Sequence, residues 1–318
     1  RGDVEALAAF MRGFAAKSLV PFLEQRIRTL NLEISATRRG VRNQLKNYFF
    51  RKEKEGAGAR GADTYGPGSV ERQIRELGDL AFVLRDFNLA LSSFRLLAGD
   101  FKADKAWRHY AGAQEYVGRS LVALGGPKRE VEHAFEGAYN AYCAVEGREG
   151  TRFAARCMVA LAAHQAARGH MLEAANALRA AALDKMGHLH AAIMFERAAQ
   201  CYGACRPRPM RRKYGFNMVL AGRNFGQAGR LQHSIRAYQD AQGVFQGLGW
   251  AFIDEHIHVS LARHLIAVGD LRNGAQYMAE LLRATHQGAA TQQQYLDELL
   301  AVVRRLSQEQ QQQQQQQQ

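Results

Sequence analysis

Residues 221–238 read AGRNFGQAGRLQHSIRAY, and the placing of small and large side chains here decides the fold. Ala221 and Gly222 sit in one apolar run, Gly229 interrupts it, and a new run from Leu231 brings Ser234 and then Tyr238. Gly229 falls where a helix ends on a left-handed residue. Small residues at 222 and 234 let two antiparallel helices approach closely, and Tyr238 plugs the gap below them. The spacing recurs. Leu77-Gly78, Leu161-Ala162 and Leu261-Ala262 are followed by the small residues Ala90, Ala174 and Gly274, then by the large residues Phe94, Leu178 and Met278. Gly169 and Gly269 end runs as Gly229 does, and new runs open near Met171 and Leu271.

Longer helices are expected over residues 103–124, 128–145 and 187–204, and strand alternation is met almost nowhere. The expected fold class is all-α: an irregular TPR-like solenoid of five or six helical hairpins over residues 70–306. A basic amphipathic helical segment precedes it at residues 1–54. Between them, residues 55–69 carry five glycines and Pro67 and read as a flexible linker. Residues 307–318 are nearly all glutamine, have nothing with which to build a core, and are expected to be disordered.

Composition narrows the function. The chain has 318 residues, 47% hydrophobic, with a formal net charge of +13. That excess points to an anionic partner, a membrane surface or a nucleic acid. No window approaches eighteen consecutive apolar residues, so no membrane span is expected. No secretory leader is expected after Arg1, and a start without Met leads to the expectation of a piece of a longer chain. Four cysteines without framework spacing fit a reducing, cytosolic compartment.

The charge is concentrated. Residues 38–54 hold seven cations (Arg38, Arg39, Arg42, Lys46, Arg51, Lys52, Lys54) against Glu53 alone. On a helical wheel Val20, Leu23, Ile27, Leu30, Ile34, Val41, Leu45, Tyr48 and Phe49 share one stripe, with a break expected near residues 38–40 at Gly40. Beyond it Val41, Leu45, Tyr48 and Phe49 form an apolar face widened by Phe50, with Arg39, Arg42, Lys46 and Lys52 on the opposite or flanking sides. Such a helix suits a membrane interface, where each cation near anionic lipid contributes about 1 kcal/mol. The alternative is that the same face packs onto the hairpins while its cations are solvated. A second basic run comprises Arg206, Arg208, Arg211, Arg212 and Lys213; Pro207 and Pro209 make it a loop.

Chemical sites are not evident. Residues 56–61 spell G-x-G-x-x-G but lack the strand-to-helix frame of a phosphate-binding turn. Cys201 and Cys205, near His188 and His190, lack the tight pair and fourth ligand of a zinc site. His256 and His258, beside Asp254 and Glu255, do not form a metalloprotease motif. Catalytic residues, metal and cofactors are accordingly expected to be none. A basic helical-repeat binder of nucleic acid stays the alternative function; it would bind RNA or DNA with steep salt dependence.

Several segments, in order, resemble the subunit 8 family of the trafficking protein particle (TRAPP) complexes, the large subunit that distinguishes TRAPP III. They are Leu19-Val-Pro21, Arg26-Ile-Arg-Thr-Leu-Asn31, Ser35-Ala-Thr-Arg-Arg-Gly40, and Arg42-Asn-Gln-Leu-Lys-Asn47 with its aromatic pair and Arg51-Lys52. Further on come Gln73-Ile-Arg-Glu-Leu-Gly-Asp79, Leu84-Arg-Asp86, Asp104-Lys-Ala-Trp107, Tyr110-Ala-Gly112 and Lys213-Tyr-Gly-Phe216. The resemblance runs with gaps from about residue 19 to residue 305. It implies a middle segment of a longer, non-catalytic subunit in a tethering complex that is a guanine nucleotide exchange factor for a Rab-family GTPase, exchange being carried by the core subunits. The implied partners are TRAPP core subunits, indirectly the Rab, an anionic membrane surface and autophagy factors, with no nucleic acid. The implied location is cytoplasmic, peripheral on Golgi, ER–Golgi intermediate or pre-autophagosomal membranes. The family's membrane-binding amphipathic helix maps here onto Arg38, Arg39, Val41, Arg42, Leu45, Lys46, Tyr48, Phe49, Phe50, Arg51 and Lys52. The glycine- and alanine-rich linker and the polyglutamine end depart from the family pattern.

Overall fold

A computed structural model describes residues 2–40, 65–66, 68–183, 186–283 and 287–316. Among these residues there are helices and no strand. They divide into two compact units, Arg1–Cys157 and Met158–Gln318.

The first unit begins with α1 (Gly2–Phe14), a π turn (Ala15–Leu19) and α2 (Val20–Gly40). Then come α3 (Val70–Val83), α4 (Phe87–Ala103), α5 (Trp107–Ala123) and α6 (Lys128–Cys143). The division between the units falls inside α7 (Arg148–Ala167). The second unit continues with α8 (Met171–Leu183), α9 (His188–Ala204), α10 (Arg211–Gln227) and α11 (Leu231–Phe245). It ends with α12 (Ala251–Ala267), α13 (Leu271–Leu282) and α14 (Ala289–Gln316). Within each unit helices pack on their sequence neighbours, from α2 on α3 through α5 on α6, and from α8 on α9 through α13 on α14. This is the nearest-neighbour packing of TPR-like hairpins.

The small–large spacing acts as its chemistry requires. A Cβ added at Gly78 would lie 2.9 Å from the Phe94 ring, and one at Gly222 would lie 3.0 Å from Tyr238. Both rings are fully buried. A further pair, Gly118 against Phe135 at 3.0 Å, escapes the sixteen-residue spacing because the turn at Gly125, Gly126 and Pro127 is one residue longer. Gly169, Gly229 and Gly269 all have positive φ. At Gly229 the following amide donates to the Phe225 carbonyl at 2.9 Å and Gly229 itself to Gly226 at 3.0 Å, a Schellman closure. Arg85 and Lys105 take the same conformation without being glycine. Lys105 therefore ends α4, and the helix expected from residue 103 begins only at Trp107.

Polar groups complete the packing of the second unit. The Ser234 hydroxyl donates to the Gly222 carbonyl at 2.6 Å and has no second proton, so His264 Nδ1 donates to Ser234 Oγ at 3.0 Å. Burial holds the His264 imidazole below its ordinary 6.5, and His256 is lowered by burial and by Arg223. The unfolded chain then binds more protons than the folded one below about pH 6.5. Stability is full above that value and is lost as pH falls toward the depressed folded pKa values. Urea unfolding of the second unit should weaken between pH 7 and 5, and His264→Gln should flatten that dependence; an unchanged slope would refute the assignment.

One expectation is corrected. The glutamine-rich end is helical through Gln316, against the expectation of disorder. Glutamine is a good helix former, and extending a helix already anchored by buried Tyr295 and Val302 avoids the cost of nucleation. The stretch read as a linker is pinned at one point. Tyr65 packs on Phe101 and His109 with ring centroids 5.0 and 5.1 Å away, and its hydroxyl donates to Asp104 at 3.3 Å.

Candidate functional site

The cationic segment is only partly in view. Arg38 and Arg39 occupy the last turn of α2, whereas Val41, Arg42, Leu45, Lys46, Tyr48, Phe49, Phe50, Arg51 and Lys52 lie outside the described residues, as do residues 56–61. The helix leading into the segment is described.

The described helix is continuous over Gly2–Thr37. Val4, Leu7, Phe10, Met11 and Phe14 recur at helical spacing, and all are more than half exposed. In α2 the apolar residues Leu30 and Ile34 are instead buried against α3, where Arg26 Nε donates to Glu76 at 2.9 Å. The intervening π turn relates the two halves. It adds roughly one residue to the turn and rotates the C-terminal half by about 100°, which swings Leu30 and Ile34 from the far side toward the α1 stripe. One apolar seam results, packed at its C-terminal end and solvent-facing at its N-terminal end, with Leu19 and Phe22 between.

This corrects the expectation that nothing here could span a membrane. Gly2–Thr37 is long and apolar enough to do so by length and composition, and none of its most apolar window is buried. Counting consecutive apolar residues missed it because Arg12 and Lys17 interrupt the run without ending the helix. Periodicity also could not separate the exposed half of the stripe from the packed half, since both share one pattern.

The first unit contains a buried polar cluster. The Glu115 carboxylate, 1% exposed, accepts from Arg119 Nε at 3.0 Å and Nη2 at 2.8 Å, from the Tyr142 hydroxyl at 3.1 Å, and from Arg156. These groups tie α5 to α6 and, through Arg156, to α7. Burial, then Glu115, pushes the Cys157 thiol far above its ordinary range, so this cysteine is held as an inert thiol rather than a nucleophile. Arg75 extends the cluster sideways, its guanidinium 4.8 Å from the Tyr116 ring and 2.9 Å from Asp79. The arrangement locks helices together; it presents no free base or nucleophile to a substrate.

The other residues considered for chemistry are engaged in packing. Cys205 Sγ donates to the Cys201 carbonyl at 3.4 Å, and His188 Nδ1 lies 3.3 Å from Asn224 Oδ1. His256 and His258 meet Tyr238 and Gln242 at 3.3 and 3.0 Å. Among the described residues no group of three metal-ligating side chains converges.

Residues 1–168 match the family described as TRAPPC-Trs85, the ER-Golgi trafficking TRAPP I complex 85 kDa subunit. Over 314 residues the chain is 29% identical to the human trafficking protein particle complex subunit 8, covering 94% of this chain and 21% of that protein. It therefore spans about a fifth of that relative's length. Two solved structures are loosely similar. One is a thermophilic TPR protein of Thermus thermophilus, with 16% identity, TM-score 0.25, and coverage of 72% of this chain and 99% of that one. The other is BtubC (BKLC) from P. vanneervenii, with 14% identity, TM-score 0.28, and coverage of 84% and 94%. Such low TM-scores leave the fold assignment resting on the hairpins themselves.

Proposed function

Because the chain belongs to the TRAPPC-Trs85 family of trafficking-complex subunits, we propose that it is a non-catalytic helical-repeat stretch that helps hold its complex on a membrane. In this reading the hairpins form a scaffold toward other TRAPP subunits, and residues 38–52 dock on anionic lipid. The complex is TRAPP III-like, a tether and Rab exchange factor whose exchange chemistry lies on other subunits. It acts in ER–Golgi traffic and autophagy, from the cytoplasmic side of those membranes.

One observation carries this reading. The cationic run lies inside the stretch matched to the family and directly follows a helix whose N-terminal apolar face is exposed. Aliphatic and aromatic groups beside an excess of cations in the sequence are what a headgroup–acyl boundary accommodates. Replacing Leu45 and Phe49 together by Asp should lower flotation of the 318-residue chain with anionic vesicles at least about tenfold, each buried side chain contributing roughly 1.5–3 kcal/mol. Equal flotation of parent and variant would remove the membrane role of this segment.

A further inference from the structure

One stretch of helix in the first unit is left without a cover. No residue of α1 is buried, and Val4, Leu7, Phe10, Met11 and Phe14 are 52–71% exposed. At 100° per residue these five fall within about 120° of the helix circumference. Positions 4, 7, 11 and 14 follow the alternating steps of three and four with which one helix packs along another. The same seam is already a helix-packing surface further on, where Leu30 and Ile34 of α2 are buried against α3.

Charge decides what suits the open half. Residues 2–22 carry Asp3, Glu5, Arg12 and Lys17 and therefore no net charge. Asp3 falls inside the apolar arc at its N-terminal end, and Lys17 stands on the same flank just past Phe14, whereas Glu5 and Arg12 lie on the opposite face. A helix lying in an anionic interface is rich in Lys and Arg; here lipid headgroups meet a neutral segment and repel the acid in the stripe. A spanning helix would carry all four charges, with Arg12 near mid-depth, where a cation is most costly. A second α1 laid antiparallel is complementary instead. A two-fold axis at Phe10 brings position 3 level with position 17, so that Asp3 of each copy meets Lys17 of the other; a parallel pair would set like charges together.

We propose that the open stripe of α1 docks a second copy of this chain, as an antiparallel helix pair with its two-fold axis at Phe10. Such a contact is isologous: one patch serves both copies, and the assembly closes at two. The exposed parts of the five apolar side chains come to roughly 650 Å² per copy, about 1,300 Å² in all, which lies within the range of specific interfaces. The area sits at the lower end of that range and rests on one helix per copy, so the dimer is a reversible one. It makes no use of residues 38–52: lipid there and protein on α1 occupy successive stretches of the chain.

Sedimentation equilibrium of the 318-residue chain, without lipid, is the test. The mass should rise with concentration from 35.4 kDa toward about twice that value. Leu7→Asp plus Phe10→Asp, both at exposed positions, should weaken association at least about a hundredfold while helical circular dichroism stays unchanged. Asp3→Lys or Lys17→Asp alone should weaken it several-fold, and the two together should restore it, because the swap rebuilds the same pairs in reverse. A chain that stays monomeric at every concentration would overturn the proposal, and flotation of that monomer with vesicles, lost on Leu7→Asp plus Phe10→Asp, would give the stripe to lipid. A dimer indifferent to Leu7→Asp plus Phe10→Asp, or a double charge swap no better than the single ones, would overturn it as well. The Leu45→Asp plus Phe49→Asp variant should dimerise as the parent does, so failure of the membrane reading and failure of this one are told apart.

Discussion

Phe94→Ala should destabilise the first unit by about 3–5 kcal/mol, the range for truncating a buried aromatic side chain. Phe94 is fully buried, lies against Gly78 across the α3–α4 hairpin, and carries Arg75 5.3 Å from its ring centroid. The informative companion is Gly78→Ala. In the parent chain the new Cβ would stand 2.9 Å from Phe94 Cε1, and the overpacking cost of roughly 1–3 kcal/mol outweighs the better helix propensity of alanine. With Phe94 already shortened the clash is gone, and the same substitution should stabilise by up to about 1 kcal/mol. Hydrogen exchange of α3 and α4 amides reads this locally, which suits a repeat chain that need not unfold in one step. If Gly78→Ala has the same sign in both backgrounds, the close approach at this position is not what the glycine serves.

Glu115→Ala should cost about 3 kcal/mol, whereas Arg119→Ala should cost about 1. The asymmetry follows from burial. The carboxylate is 1% exposed and serves two guanidinium groups and a tyrosine hydroxyl, while the Arg119 and Arg156 side chains are 35% and 47% exposed. Removing the acid strands Tyr142 and opens a cavity; removing Arg119 leaves Arg156 in place to balance the charge. The difference should also persist at high salt, because screening acts weakly on a buried carboxylate. Urea denaturation of the two variants decides it, and a larger loss for Arg119→Ala would show that the cluster is held from its rim.

The same two clusters show where reading from residues succeeds and where it stops. Gly78 with Phe94, and Gly222 with Tyr238, are legible because both partners belong to one hairpin, and a tight turn fixes the number of residues between them. Glu115 with Arg156 is not legible, because the partner arrives on a different helix forty-one residues on. The cationic run at residues 38–52 declares itself through charge alone. The exposed stripe of α1 does not, because apolar periodicity is the same whether the seam is covered or open.

What the sequence by itself determined is the repeating unit: small residues where helices touch, large ones beneath, and left-handed glycines at the bends, all set by contacts within a few turns of chain. Only the tertiary structure decided which faces stay open. A π turn at Ala15–Leu19 rotates one half of a helix against the other, and Arg212 meets Trp250 although the two are thirty-eight positions apart. Local spacing records which side of a helix is apolar; what covers that side is settled by chain folded from far away.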